Sequence, residues 1–439
     1  MDSGEKLVVD FGDYFAHKYS DEHLVRLLQF HKADKGPLLY MLDNQHGDER
    51  VKRVFQLCTK VWELKEAHER RANKRRQTRV ALHKELFAAI EEALLLLNRI
   101  AERETQWLLY PLFVVASELV REALYMSRVL KLSDEYVERC GRSVHRSFTL
   151  CLNDRNPVRG ENRRTAVYMF MNLEFKVYHL LGNRDMVKNL IKVIKSRHED
   201  AADPLVPCEQ SLAAQYPAQV ATYHYFMGEY YGCYENEYGP AAEHLLLALG
   251  ECSPAQGHQA QIARILVLLV PFAMLSRRAY PRAEAIDAML TPPEGPAGTT
   301  RTKVKVKRTR SMEMVQTVYR AAAQAFATGN VGAYRALIQP PENQMWFLRR
   351  GVYVAMLLLE ELVLLRRVVL CHHYAGGPSI VPLGLLCAGL SAQQMDTRML
   401  ECALANLINK GYIRGYLSHG NQCMVVSKTG PFPPAQPGK

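Results

Sequence analysis

A change of period along the chain limits its fold more than any other feature. Through residues 21–290 apolar side chains recur three and four positions apart, and alternating β-branched runs are rare. That spacing lays an apolar stripe along an α-helix. In residues 85–103, Leu86, Ile90, Leu94, Leu97 and Ile100 share one face, while Glu91, Glu92, Arg99 and Glu102 occupy much of the rest. The carboxyl-terminal part behaves differently. After Asp396, which suits an N-cap, Leu400, Ala403, Leu404, Leu407 and Ile408 keep helical spacing until Gly411. The period then becomes two. Ile413, Gly415 and Leu417 point one way, and Tyr412, Arg414 and Tyr416 point the other. Residues 418–421 read as a turn and 422–427 as a returning strand. Helix, strand, hairpin and strand make the end of a winged helix.

The middle of the chain carries degenerate repeats. A Gly-Asn turn between helices occurs at Gly182-Asn183 and again at Gly329-Asn330. Between them, Tyr225, Phe226 and Gly228 precede Tyr238, Ala241, Leu245 and Ala248. A glycine where two helices cross, with aromatics in the angle, is tetratricopeptide-like packing. A single hairpin cannot bury its apolar face, so such units stack. The expected fold is mainly α: a right-handed helical solenoid capped by a winged helix. The expected divisions are a helical region over 1–160, repeats over 161–340 with a basic loop at 291–311, a winged-helix module over 341–430 and a Pro-rich tail at 431–439.

Composition narrows the function. The 439 residues carry a net charge of +11, which favours an acidic partner without naming it. The longest apolar run, 265–275, contains Pro271, so no membrane-spanning helix is expected. The polar, acidic start does not resemble a signal peptide. Ten scattered cysteines without Cys-x-x-Cys fit reduced core residues. Phosphate-loop, dinucleotide, nucleophile-elbow and His-Glu-x-x-His motifs are missing, so no enzyme, cofactor or small-molecule substrate is expected. Cys371-His372-His373 lacks a second ligand pair at ordinary spacing and reads as a polar helix end rather than a metal site.

Two segments carry a resemblance. Residues 404–419, running Leu-Ala-Asn-Leu-Ile-Asn-Lys-Gly-Tyr-Ile-Arg-Gly-Tyr-Leu-Ser-His, are similar to the last helix and wing of the PCI domain-containing protein 2 family. So are Val425 to Lys428 with Pro431-Phe432-Pro433-Pro434. Weaker likeness lies at Tyr238, Ala241, Glu243 and Leu245, and at Gln106, Trp107 and Pro111. The resemblance implies a non-enzymatic subunit of a TREX-2 type complex that couples transcription to mRNA export, in the nucleus near the pores with some cytoplasmic presence. Its implied partners are a Sac/GANP-type PCI scaffold, a small acidic DSS/Sem-type protein, and RNA or DNA. A sister group works in a splicing-linked complex, and a third reading is a pure assembly adaptor of lid or signalosome type.

Candidate contact residues follow from charge and spacing. Arg398, Lys410, Arg414 and Lys428 lie on or beside the wing, with His419 at its tip; Tyr412 and Tyr416 interleave with Arg414. Cations neutralise phosphates and aromatics stack on unpaired bases, although a solvated wing or a protein contact fits the same residues. The helix at 397–410 is too poor in bidentate side chains to read a DNA sequence. In the loop, Lys303, Lys305, Lys307, Arg308 and Arg310 suit an RNA contact, an import signal or a tolerated insertion. Basic residues between Arg70 and Arg79 suit a solvated helix face. Arg349, Arg350, Tyr353, Met356, Arg366 and Arg367 mark a candidate partner interface, because the helix from Tyr353 is apolar nearly all round.

Overall fold

The computed structural model describes residues 11–29, 47–70, 76–158, 160–201, 203–277, 282–291, 308–328, 330–360, 369, 376–390 and 396–433. They form two compact units, one ending at Tyr223 and one beginning at His224.

The first unit is helical: α1 (Phe11–Ala16), α2 (Glu22–Gln29), α3 (Glu49–Arg70), α4 (Arg76–Ala101), α5 (Leu109–Arg128), α6 (Glu135–Leu152), α7 (Val167–Leu181) and α8 (Arg184–His198). The stripe read in α4 is its buried face: Leu86, Ile90, Leu94, Leu97 and Ile100 are all in the core. α5 and α7 bury side chains nearly all round, as helices packed on several sides must. Gly182 closes α7 in the left-handed region at φ 65°, and the Asn183 side chain caps α8 by accepting the Met186 N–H at 3.1 Å. The loop after α6 is tied down by Arg163. Its guanidinium donates to the Ala101 carbonyl at 2.5 Å and to Asp154 at 3.1 Å, and its own N–H donates to Asp154 at 2.7 Å.

The boundary falls within α9 (Pro217–Glu229), which a π-helical turn, Tyr230–Tyr234, follows. The second unit continues with α10 (Tyr238–Gly250), α11 (Gln259–Arg277), α12 (Ala283–Leu290), α13 (Arg310–Met314), α14 (Arg320–Thr328), α15 (Val331–Ile338) and α16 (Pro341–Arg349). Residues 353–360 are helical as well. The tetratricopeptide-like reading holds here. Gly228 lies so close to the Leu245 side chain that a Cβ would overlap it, and that Cβ would also press tightly on the Ala241 carbonyl. Phe226 and Tyr230 are buried, and Tyr234 is partly so. By length and composition α11 is apolar enough to cross a membrane, contrary to the sequence expectation, since the apolar window extends well beyond residues 265–275. In this structure it is a core helix, with Ile262, Leu266, Phe272 and Leu275 buried.

The winged helix closes the second unit. β1 (Ile380–Pro382) precedes α17 (Leu383–Leu390) and α18 (Thr397–Asn409); then come β2 (Gly415–Ser418) and β3 (Cys423–Val426). The sheet order is β1-β3-β2, all antiparallel, with Ile380 opposite Val425 and Tyr416 opposite Val425 from the other side. Asp396 caps α18 by accepting the Met399 N–H at 2.7 Å. Leu400, Ala403, Leu404 and Leu407 are buried, and Gly411, at φ 69°, ends the helix.

Candidate functional site

The wing positions its cations on solvent-facing edges. Arg398 sits in the first turn of α18, Lys410 at its end, Arg414 just before β2 and Lys428 just after β3; all four are exposed. None forms an ion pair among the described residues. The Arg414 main chain is held on both sides, donating to the Pro431 carbonyl at 2.7 Å and accepting from the Ser427 N–H at 2.8 Å. His419 is also exposed, and its Nδ1 lies 2.8 Å from Glu401, so an acidic group already faces it.

Tyr412 departs from the strand alternation. Its hydroxyl donates to the Leu275 carbonyl at 2.7 Å, which pins the wing to α11, and the ring packs on the core. It does not share an open face with Arg414 and Tyr416. Strand pairing starts only at Gly415, so the two-residue alternation does not extend back to position 412. Tyr416 is open, at 61% exposure.

The other expected residues divide. Lys303, Lys305 and Lys307 lie outside the described residues, as do Arg366, Arg367, Cys371, His372 and His373. Arg308 is exposed. Arg310 opens α13 and pairs with Glu313 at 2.9 Å. Arg349 is exposed, whereas Arg350 is partly buried with its guanidinium over the Trp346 ring, 5.9 Å from the centroid. Tyr353 is partly buried. Met356 faces inward, and its carbonyl accepts the Tyr334 hydroxyl at 2.9 Å.

Apart from Tyr416, the sequence reading missed a group of large apolar side chains left uncovered on and near the wing. On the wing these are Ile380, Leu385, Met399 and Tyr416; beside it in sequence are Met345 and Leu348 on α16 and Val354 and Leu357 in the next helix. Two pairs sit three apart, so each makes a short stripe opposite a face that is already buried. The signal was present in the all-round apolar character of residues 353–360, but periodicity alone cannot say which side stays open. Uncovered apolar side chains, together with exposed cations that form no ion pair among the described residues, suit protein docking. Among the described residues, no group of three or more His, Cys, Asp or Glu is placed to hold a metal ion.

The comparisons agree with the module and correct the assignment. The PCI domain model matches residues 390–428, from the end of α17 through β3 and two residues beyond. Cop9 signalosome complex subunit 12 of Saccharomyces cerevisiae is 37% identical over 97% of this chain and 99% of its own length. The Eremothecium gossypii protein of the same description is 36% identical over 77% of this chain and 80% of its own. A PCI domain-containing protein 2 homolog from Dictyostelium discoideum is 28% identical over 68% of this chain and 60% of its own length. The resemblance to the PCI class therefore stands, but the finer one was misplaced. The TREX-2 type mRNA-export and RNA-binding function, with its Sac/GANP-type and DSS/Sem-type partners, is overturned by relatives under a signalosome description, one of which matches nearly end to end. The chain carries a PCI domain and belongs to the Cop9 signalosome complex subunit 12 family.

Proposed function

We propose that this protein is a non-catalytic assembly subunit of a signalosome-type complex, with its winged-helix unit as the docking element. The observation that carries the reading is the apolar surface of that unit. Met399 and Tyr416, 60% and 61% exposed, project from α18 and β2, and Leu385 and Ile380 are open on α17 and β1. Burying such side chains against a partner contributes about 1.5–3 kcal/mol each when the burial is complete. Near-full-length identity to proteins described as Cop9 signalosome subunits supports the same reading.

The test is affinity purification of the tagged endogenous protein, followed by mass spectrometry. Signalosome subunits are expected to co-purify at comparable abundance. Met399→Glu combined with Tyr416→Glu is expected to reduce their recovery at least tenfold while leaving the melting temperature of the chain within a few degrees. Recovery of the wild-type protein without any signalosome subunit overturns the reading. Undiminished recovery with the double variant overturns the assignment of the docking face.

A further inference from the structure

In the first unit an open cleft of about 720 Å³ lies between α2, the start of α5 and the 210–216 loop. Its lining is unusual in one respect. Gln29, Gln106, Gln210 and Gln215 all border it, and none of their carboxamides hydrogen-bonds to another described residue. Each carboxamide offers two donors and an acceptor, so the cleft holds polar capacity that no described residue uses. The aromatic wall is rigid by contrast. Tyr110 and Tyr216 stack almost parallel, 4.4 Å apart, and Trp107 is held by Phe15 edge-on and by donation from its Nε1 to Glu104 at 3.0 Å.

The remaining groups limit what the cleft can take. Asp21 is engaged by the Leu24 N–H at 2.9 Å and the Tyr14 hydroxyl at 3.3 Å, and Glu22 pairs with Arg26 at 2.5 Å. With no surplus of positive charge, phosphate and nucleic acid are disfavoured. A bound helix needs a mainly apolar groove, and an added strand needs a sheet edge; this unit has no strand among its described residues. A polyproline II segment needs what is present. Its prolines pack on aromatic rings, and its carbonyls, which have no internal hydrogen bonds, need outside donors.

We propose that this cleft binds a proline-rich segment of a partner protein in the polyproline II conformation. Proline rings rest on Trp107, Tyr110 and Tyr216, and the glutamine amides donate to the segment's carbonyls. The site is independent of the docking face on the wing, so either assignment can fail alone.

The experiment titrates the full-length protein into fluorescein-labelled nonaproline, with a nine-residue Gly-Ser peptide as control, and reads fluorescence polarisation. Saturable binding of nonaproline but not of the control is expected. Gln106→Ala with Gln210→Ala, both at partly or fully exposed positions, is expected to weaken binding about tenfold or more, since each lost hydrogen bond accounts for roughly a fivefold factor. Trp107→Ala is expected to abolish binding, with circular dichroism melting as the control for folding. If Trp107→Ala fails to fold, the glutamine double variant decides. Absence of saturation at millimolar protein, equal binding of the Gly-Ser peptide, or unchanged affinity in the glutamine double variant overturns the proposal.

Discussion

Two residues show how much can depend on a single side chain, or on having none. Gly415 opens β2 where the backbone of Val425 comes so close that an added Cβ would overlap its carbonyl. Its φ is not in the left-handed region, so the requirement is space rather than conformation. Gly415→Ala must therefore push the two strands apart. We expect a loss of about 1–3 kcal/mol, the usual cost of overpacking, with faster amide exchange across residues 415–426 as the local sign. Asp154 shows the opposite dependence. Burial alone would raise its carboxyl, but hydrogen bonds from the Arg163 side chain and main chain outweigh that and hold it below the usual carboxylate range. A depressed folded-state pKa contributes stability that is present above the unfolded value and is lost as pH falls through the folded one. The contribution is thus complete near neutrality and disappears in acid below about pH 4. Asp154→Asn should lower the urea midpoint by the equivalent of about 1.5–3 kcal/mol at pH 7. The difference from wild type should shrink as both are titrated toward pH 3. A constant difference across that range would show that the ion pair is not its source.

Helices and strands were legible to different degrees, and the reasons are local. α18 was readable from both ends because its start and stop signals are chemical: Asp396 accepts an N–H of the first turn, and Gly411 supplies a positive φ. Asp396→Ala should cost about 1 kcal/mol, measured as a fall in thermal midpoint, and Asp396→Asn should recover most of it. β1 was not readable. Ile380–Pro382 is three residues long, ends in proline and has no period of its own. It is a strand because β3 offers its free edge to it, a fact about residues more than forty positions away. Tyr412 failed for a related reason. A period-two pattern was extended through a residue that had not yet entered the sheet, and a hydrogen bond to Leu275 decided its orientation.

The molecule as a whole combines a +11 charge with uncovered large apolar side chains, most of them in the second unit. Net charge keeps copies apart at low salt, and screening removes that protection within a few ångströms at high salt. The purified chain without its partners should therefore self-associate in 0.5 M salt, as read by analytical ultracentrifugation. Leu348→Glu, on an exposed position of α16, should reduce that association without altering the melting temperature by more than a few degrees. Equal sedimentation of variant and parent would remove α16 from the sticky face.

The sequence alone determined the helical class, the capped final helix, the hairpin of the wing and the glycine-mediated crossing near Gly228. Each is set by neighbours within one hairpin of chain, where spacing translates directly into geometry. Only the tertiary structure decided which apolar faces remain open, that Met356 turns inward while Leu357 turns outward, that Tyr412 is pinned, and that four glutamines from three distant segments border one cleft. Those outcomes depend on which elements meet, and a one-dimensional pattern records a residue's preference for burial but not whether a neighbour arrives to bury it.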